Sequence, residues 1–191
     1  MPSRIPVILM ALCAASGFAL GTGRQSLTIS GDCAILASIL GPDSAVSGLD
    51  SSSPGPEVAV SYRHALKPTL DVGADTGFFL LGTKVGRSFL LIPLAVSGRW
   101  TPSAKRFEFP VDFGVGIAYS NYGGTSNLDP MLNLKLGAGY RLNQSFTVGL
   151  DESNSMLIQW FHRDSSQDRI GYFPALGIFA TCHWNPGIKA R

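Results

Sequence analysis

The sequence predicts an all-β fold, an eight-stranded antiparallel up-and-down transmembrane β-barrel, and three observations predict it. Bulky apolar residues alternate with small or charged ones, residue by residue, in stretch after stretch. The connections between these stretches alternate between short and long. Charged residues make up only 15% of the 191, against roughly 25% in soluble domains, and many of the 22 glycines lie inside apolar stretches.

Residues 1–21 read as a secretory signal peptide: a basic "MPSR", an apolar "IPVILMALCAASGFAL", and small residues at Ala19–Gly21 for cleavage. The apolar run is short for a membrane-spanning helix. Cys13 is a poor lipoprotein site, because Leu12 stands where a small residue is wanted. The barrel domain is then residues 22–191, exported from the cytoplasm.

The first strand covers residues 26–39, with Leu27, Ile29 and Ile35 on one face and Thr28, Ser30 and Asp32 on the other. Residues 58–66 set Val58, Val60, Tyr62 and Leu66 against Ser61 and Arg63. Residues 70–80 set Leu70, Val72 and Phe78 against Asp71, Gly73, Asp75 and Gly77. Residues 88–101 set Leu90, Ile92, Leu94, Val96 and Trp100 against Ser97 and Arg99. Residues 107–119 carry seven bulky residues from Phe107 to Tyr119, opposite Glu108, Pro110, Asp112, Gly114, Gly116 and Ala118. Residues 132–142 set Leu132, Leu134, Leu136, Tyr140 and Leu142 against Lys135, Gly137, Gly139 and Arg141. A seventh strand starts at Phe146, its course after Asp151 left open, and an eighth spans about 170–184.

"LKPT", "TPSAK" and "NQS" are tight turns between alternate pairs of strands. "GPDSAVSGLDSSSPGP", "LGTKVGR", "NYGGTSNLDP" and "HRDSSQDR" are expected to be longer loops on the opposite rim. Pro93, Pro110 and Pro174 fall inside strands, where each removes a ladder donor, so bulges are expected there.

The two faces fit a small barrel in a membrane. Hydrocarbon accepts an unbroken apolar face, and about 10 residues suffice to cross it. The lumen of an eight-stranded barrel is just wide enough for its own side chains. The inward glycines are expected to leave room for Asp75, Asp112 and Lys135, while Arg63, Asp71, Arg99, Glu108 and Arg141 group nearer the short-turn end. Buried charges must be paired. Both signs are present, so a cross-linked polar lumen is expected in preference to an open pore. Trp100, Phe107, Tyr119, Tyr140 and Trp184 lie near strand ends, as interfacial aromatic girdles do. A soluble secreted ligand-binding barrel with the faces reversed is the rival, and the girdle and the low charge count against it.

The signal peptide, the eight alternating strands, and the "VDFGVGIAYS", "LKLGAGYRL" and "PALGIFATCHW" segments together resemble small bacterial outer-membrane β-barrel proteins of the OmpX/OmpW type. The resemblance covers the mature chain and implies location in the bacterial outer membrane. It implies a structural or surface role, or a narrow conduit for small hydrophobic solutes. The partners it implies are outer-membrane lipid, small hydrophobic solutes, and host surface molecules met by the external loops. No functional residue carries over.

Some such barrels modify lipid A. The nearest catalytic set here is His162 with Ser165 or Ser166, Asp164 and Asp168, but the tight His-x-Ser pair of the deacylases is absent, and a polar loop explains these residues equally well. No enzyme activity is therefore expected. His64 and His183 lie near strand ends without metal-site spacing, and no cofactor is implied. A net charge of +2 with no basic run excludes a nucleic-acid surface. Cys33 and Cys182 fall on the first and last strands, leaving a disulfide open.

Overall fold

A computed structural model describes residues 23–36, 38–40, 52–83, 88–122, 124–159 and 169–185. Eight long strands form the wall: β1 (Gln25–Ala34), β2 (Gly55–Lys67), β3 (Leu70–Thr83), β4 (Ser88–Trp100), β5 (Val111–Tyr122), β6 (Thr125–Asn143), β7 (Phe146–Gln159) and β8 (Arg169–Trp184). Each pairs antiparallel with its sequence neighbours. The ring closes where β8 pairs with β1, from Gln25 opposite Trp184 to Ala34 opposite Ala175. Closure leaves no exposed sheet edge, the condition for β structure to stand in hydrocarbon.

The alternation sets the faces as expected. Phe113, Val72 and Leu134 point outward and are exposed, whereas Asp112 and Arg63 are buried inside. The inner side is layered. Towards the rim opposite the short turns, Phe79, Leu81, Leu91, Met131, Leu157 and Phe173 meet in one buried apolar cluster, with Phe89 stacked on Phe173 at 5.6 Å. Towards the turn rim the lumen is polar.

Three hairpins make that turn rim. Pro68 and Thr69 join β2 to β3 in a two-residue turn, Pro fixing φ where a turn needs it. Asn143 accepts a 2.8 Å hydrogen bond from the Ser145 amide at the β6–β7 turn. Between β4 and β5 a small ribbon, Ser103–Ala104 with Phe107–Glu108, turns through Lys105 at φ 57°.

Several boundaries differ from the sequence reading. The fifth strand is not continuous from Phe107: it is interrupted at Phe109–Pro110, and Phe107–Glu108 pairs separately with Gly139 and Tyr140. Pro110 cannot donate, but its carbonyl accepts from the Gly137 amide at 2.8 Å. "NYGGTSNLDP" is not a long loop, since β5 and β6 run on to pair Tyr122 with Thr125 across a turn holding Gly124 at φ 91°. The stretch is polar because this hairpin extends past the apolar belt. The seventh strand continues through Asp151 to Gln159. The first stops at Ala34, and a separate short segment, Ser38–Leu40, pairs further along β8.

The prolines do not sit at bulges. The register shifts lie at Ala65/Lys67 and Arg141/Asn143, near turns. At Pro93 the β3–β4 ladder simply skips from Thr76–Leu94 to Phe79–Leu91, and Thr76 Oγ1 donates to the Pro93 carbonyl at 3.0 Å. Cys33 and Cys182 are free; they face Leu176 and Leu27 in the same ladder, six rungs or about 20 Å apart.

If the outward face meets hydrocarbon, Val115→Arg in the middle of β5 should cost ~2–4 kcal/mol. Urea unfolding of the protein in lipid bilayers measures this, and an unchanged midpoint would contradict the orientation.

Candidate functional site: the polar lumen

The inward positions of the lower barrel carry charges from seven strands, and the ring places them within reach of one another. Asp112 on β5 is the hub. Arg99 on β4 grips it with two bonds, Nε to Oδ1 at 2.6 Å and Nη2 to Oδ2 at 3.0 Å, the planar fork matching the carboxylate. Arg99 also reaches across the lumen to Thr28 Oγ1 on β1 at 3.2 Å, and Thr28 meets Thr181 of β8 at 2.8 Å. Arg63 on β2, 1% exposed, bridges Asp75 on β3 at 2.5 Å and Asp112 at 3.5 Å. Four of the sequence-predicted residues therefore form one continuous network.

The others lie in separate sets. Asp71 pairs with Arg24, at 3.7 Å. Glu108 pairs with Arg141 and accepts from Thr147 Oγ1, which also contacts His183 Nε2 at 3.2 Å. Lys135 on β6 joins three strands: its Nζ lies 3.1 Å from Asp151, 3.6 Å from Asp32 and 3.0 Å from Ser30 Oγ. The tiers inferred from strand phase are thus rearranged, because Arg63 reaches up to Asp75 instead of down to Asp71.

Sequence reading missed four members. Asp32 was placed inward but left without a partner, and Asp151 fell where the seventh strand was uncertain. Glu57, bound by Ser153 Oγ at 3.3 Å, lay one residue before the predicted strand. Asp129, held by Gln159 Nε2 at 2.9 Å and by Ser120 Oγ at 3.2 Å, lay in a stretch taken as loop. Extending the two-residue period backward from Met131 would have turned it inward.

The glycines do a different job from the one expected. A Cβ at Gly137 would come within 2.8 Å of Pro110, and one at Gly139 within 3.0 Å of the Phe179 ring, so these two hold a slot for apolar groups. Gly177 serves the charges: the Asp32 carboxylate lies over it, where any side chain would stand.

The aromatic residues sit at strand ends. Trp100, Phe107, Tyr140 and Trp184 are exposed at the turn rim. Phe107 packs edge-on to Tyr140 at 5.5 Å, and Trp184 Nε1 donates to Gln25 at 3.0 Å. Tyr119 is at the other end of its strand, its hydroxyl 2.8 Å from Ser126 Oγ. The residues weighed for catalysis, His162, Asp164, Ser165, Ser166 and Asp168, lie outside the described residues. Among the described residues no group of His, Cys, Asp and Glu has metal-site geometry.

Removing one member of a buried ion pair strands the other. Arg63→Met should therefore lower stability by ~3–5 kcal/mol, since Asp75 loses its cation. Arg141→Met should cost less than that, because its guanidinium is about a third exposed and Glu108 keeps the Thr147 hydroxyl as a donor. Equal losses in urea titrations of the two variants would refute a graded lumen.

A protein-family model matches residues 19–181. No curated protein sequence matches the chain significantly. Among solved structures the chain is similar to Neisserial surface protein A, at 10% identity and TM-score 0.58, covering 85% of this chain and 97% of that one. It is similar to the outer membrane protein W of E. coli, at 10% identity and TM-score 0.53, covering 87% and 99%. It is also similar to Ail of Yersinia pestis, solved with the heparin analogue sucrose octasulfate, at 13% identity and TM-score 0.51, covering 86% and 100%. At these identities the structural likeness speaks for the fold, and it agrees with the outward apolar belt. The chain thus has the fold of the small outer-membrane β-barrel proteins, consistent with the OmpX/OmpW type.

Proposed function

We propose that this chain is a closed, non-enzymatic outer-membrane barrel: a scaffold anchored by outer-membrane lipid that acts at its external rim. The observation that carries this reading is a lumen obstructed at two levels. Arg99 and Lys135 tie opposite walls together in the lower half, and packed apolar side chains fill the upper half. The cavity beside Arg63, Asp112 and Lys135 measures about 40 Å³, room for a few waters and no continuous column. Trp100, Phe107, Tyr140 and Trp184 on one side and Tyr119 on the other are the interfacial girdles in this reading.

The partner class at the external rim is a host surface molecule. The structure of Ail with a heparin analogue supports it, as a barrel of similar fold solved with a sulfated sugar. Liposomes carrying the protein should be retained on immobilised heparin while empty liposomes pass through. Equal elution of both would remove this partner.

A conduit for small hydrophobic solutes is the second reading, favoured by the apolar character of the upper tier around Phe79 and Leu91. Planar-bilayer recordings on the refolded protein separate the two, together with flux of a small apolar dye into liposomes. A closed scaffold gives neither unitary current nor dye flux; dye flux without current would replace it with the conduit. Residues 1–21 are the export signal in this proposal, so N-terminal sequencing of protein taken from outer membranes should begin at Thr22.

A further inference from the structure

Along the eight long strands, among the described residues, one carboxylate faces outward: Glu152. It is the seventh of the fourteen residues of β7, so it lies mid-strand, away from both aromatic ends. Its ladder partners are Leu136 and Leu176, and the surface around it is the most apolar kind, with Leu150, Leu176 and Ile178 each more than 60% exposed. A carboxylate here faces acyl chains, which offer no hydrogen bond, and headgroups lie out of reach of so short a side chain. Ionisable groups at this depth are costly and mark interactions.

Glu152 does not stand alone. Tyr172 donates its hydroxyl to Asn154 Oδ1, and Asn154 Nδ2 lies 3.4 Å from Glu152 Oε1. Together these form a polar chain across β8 and β7 on the lipid face. It uses one of the two Asn154 amide hydrogens and one carboxylate oxygen, leaving a donor and an acceptor directed outward. Nearby, Gly31 also faces outward, and a Cβ there would meet nothing within 4 Å, so crowding inside the barrel does not explain this glycine. A strand glycine without internal cause fits a site where another backbone comes close.

We propose that the β7–β8–β1 face is the contact between two copies of this chain in the membrane. The donor and acceptor are the reason for choosing a second copy. Because the amide nitrogen lies 3.4 Å from the carboxylate, the two groups sit at nearly one depth. Two copies inserted the same way are related by an axis along the membrane normal, which keeps each residue at its own depth. The free amide hydrogen of each Asn154 then meets the Glu152 carboxylate of the other copy. The surrounding leucines exclude lipid from the pair, and Gly31 permits close approach.

The test uses the full barrel refolded in detergent and in phosphatidylcholine nanodiscs, with mass measured by density-matched sedimentation equilibrium. The wild type should sediment as two chains. Glu152→Leu/Asn154→Leu should sediment as one, its dissociation constant raised at least tenfold. The double variant removes polar groups from the lipid face, so it should fold at least as well, checked by its folded-form mobility on unheated gels. Cys33 pairs with Leu176, itself next to Glu152, and serves as a native probe. In a Cys182→Ser background a short bis-maleimide should join two chains through Cys33, and the double variant should abolish the product. A wild type that stays monomeric at every protein-to-lipid ratio overturns the proposal, as does cross-linking in native membranes only to a different protein. A double variant that dimerises as well as the wild type overturns it too.

Discussion

Within hydrocarbon a backbone N–H or C=O has no water to turn to, and each one left unpaired costs several kcal/mol. Every other property of this molecule follows from meeting that constraint with strands. A flat sheet would expose two edges; the pairing of β8 with β1, ten rungs deep, removes both. The prolines show how strictly the account is kept. Pro93 has no donor, and the β3–β4 ladder is interrupted at its level, but its carbonyl is taken up by the Thr76 hydroxyl. Pro110 falls in a break between strands and still accepts from Gly137.

Closure at eight strands then dictates the interior. The space is too narrow for a water column and must be filled by side chains. Its filling is divided between two chemistries. Apolar groups from β3, β4, β6, β7 and β8 pack the outer half much as a soluble core would. In the inner half Arg63, Arg99 and Lys135 are held by carboxylates on different strands, so the charges cross-link the wall. Isolated burial of any one of them would be prohibitive, and each is tolerated because its partners surround it. Size relations decide the details: Asp32 reaches Lys135 by lying over Gly177, and the Phe179 ring occupies room left by Gly139.

The outer face obeys the opposite rule and is nearly free of charge. Aromatic rings with polar tips mark its ends, where Trp184 bonds Gln25 and Tyr140 receives a hydrogen bond from Arg106. Against that background the chain of Tyr172, Asn154 and Glu152 is the departure, and it connects the architecture to association between copies. The filled lumen supports the closed scaffold proposed above, and recognition of host molecules is proposed for the loop rim.

Much of this was written in the sequence. A two-residue period is a property of the extended chain itself, so alternation from Phe107 to Tyr119 or from Leu132 to Leu142 fixes which residues share a face before any partner is known. Turn chemistry at Pro68 and Asn143 is equally local. From these came the strand number, the closure, the outward greasy face and the inward charges. Pairing between particular charges was not legible, because it depends on register and on reach across the lumen. Only the closed ring could show that Arg63 serves Asp75 and Asp112, that Lys135 gathers Asp32 and Asp151, or that Cys33 and Cys182 are six rungs apart. Strand ends such as Leu128–Met131 were hidden too, because beyond the hydrocarbon a strand has no need to be apolar. There, hydrogen bonding between neighbours decides the structure, and hydropathy carries no trace of it.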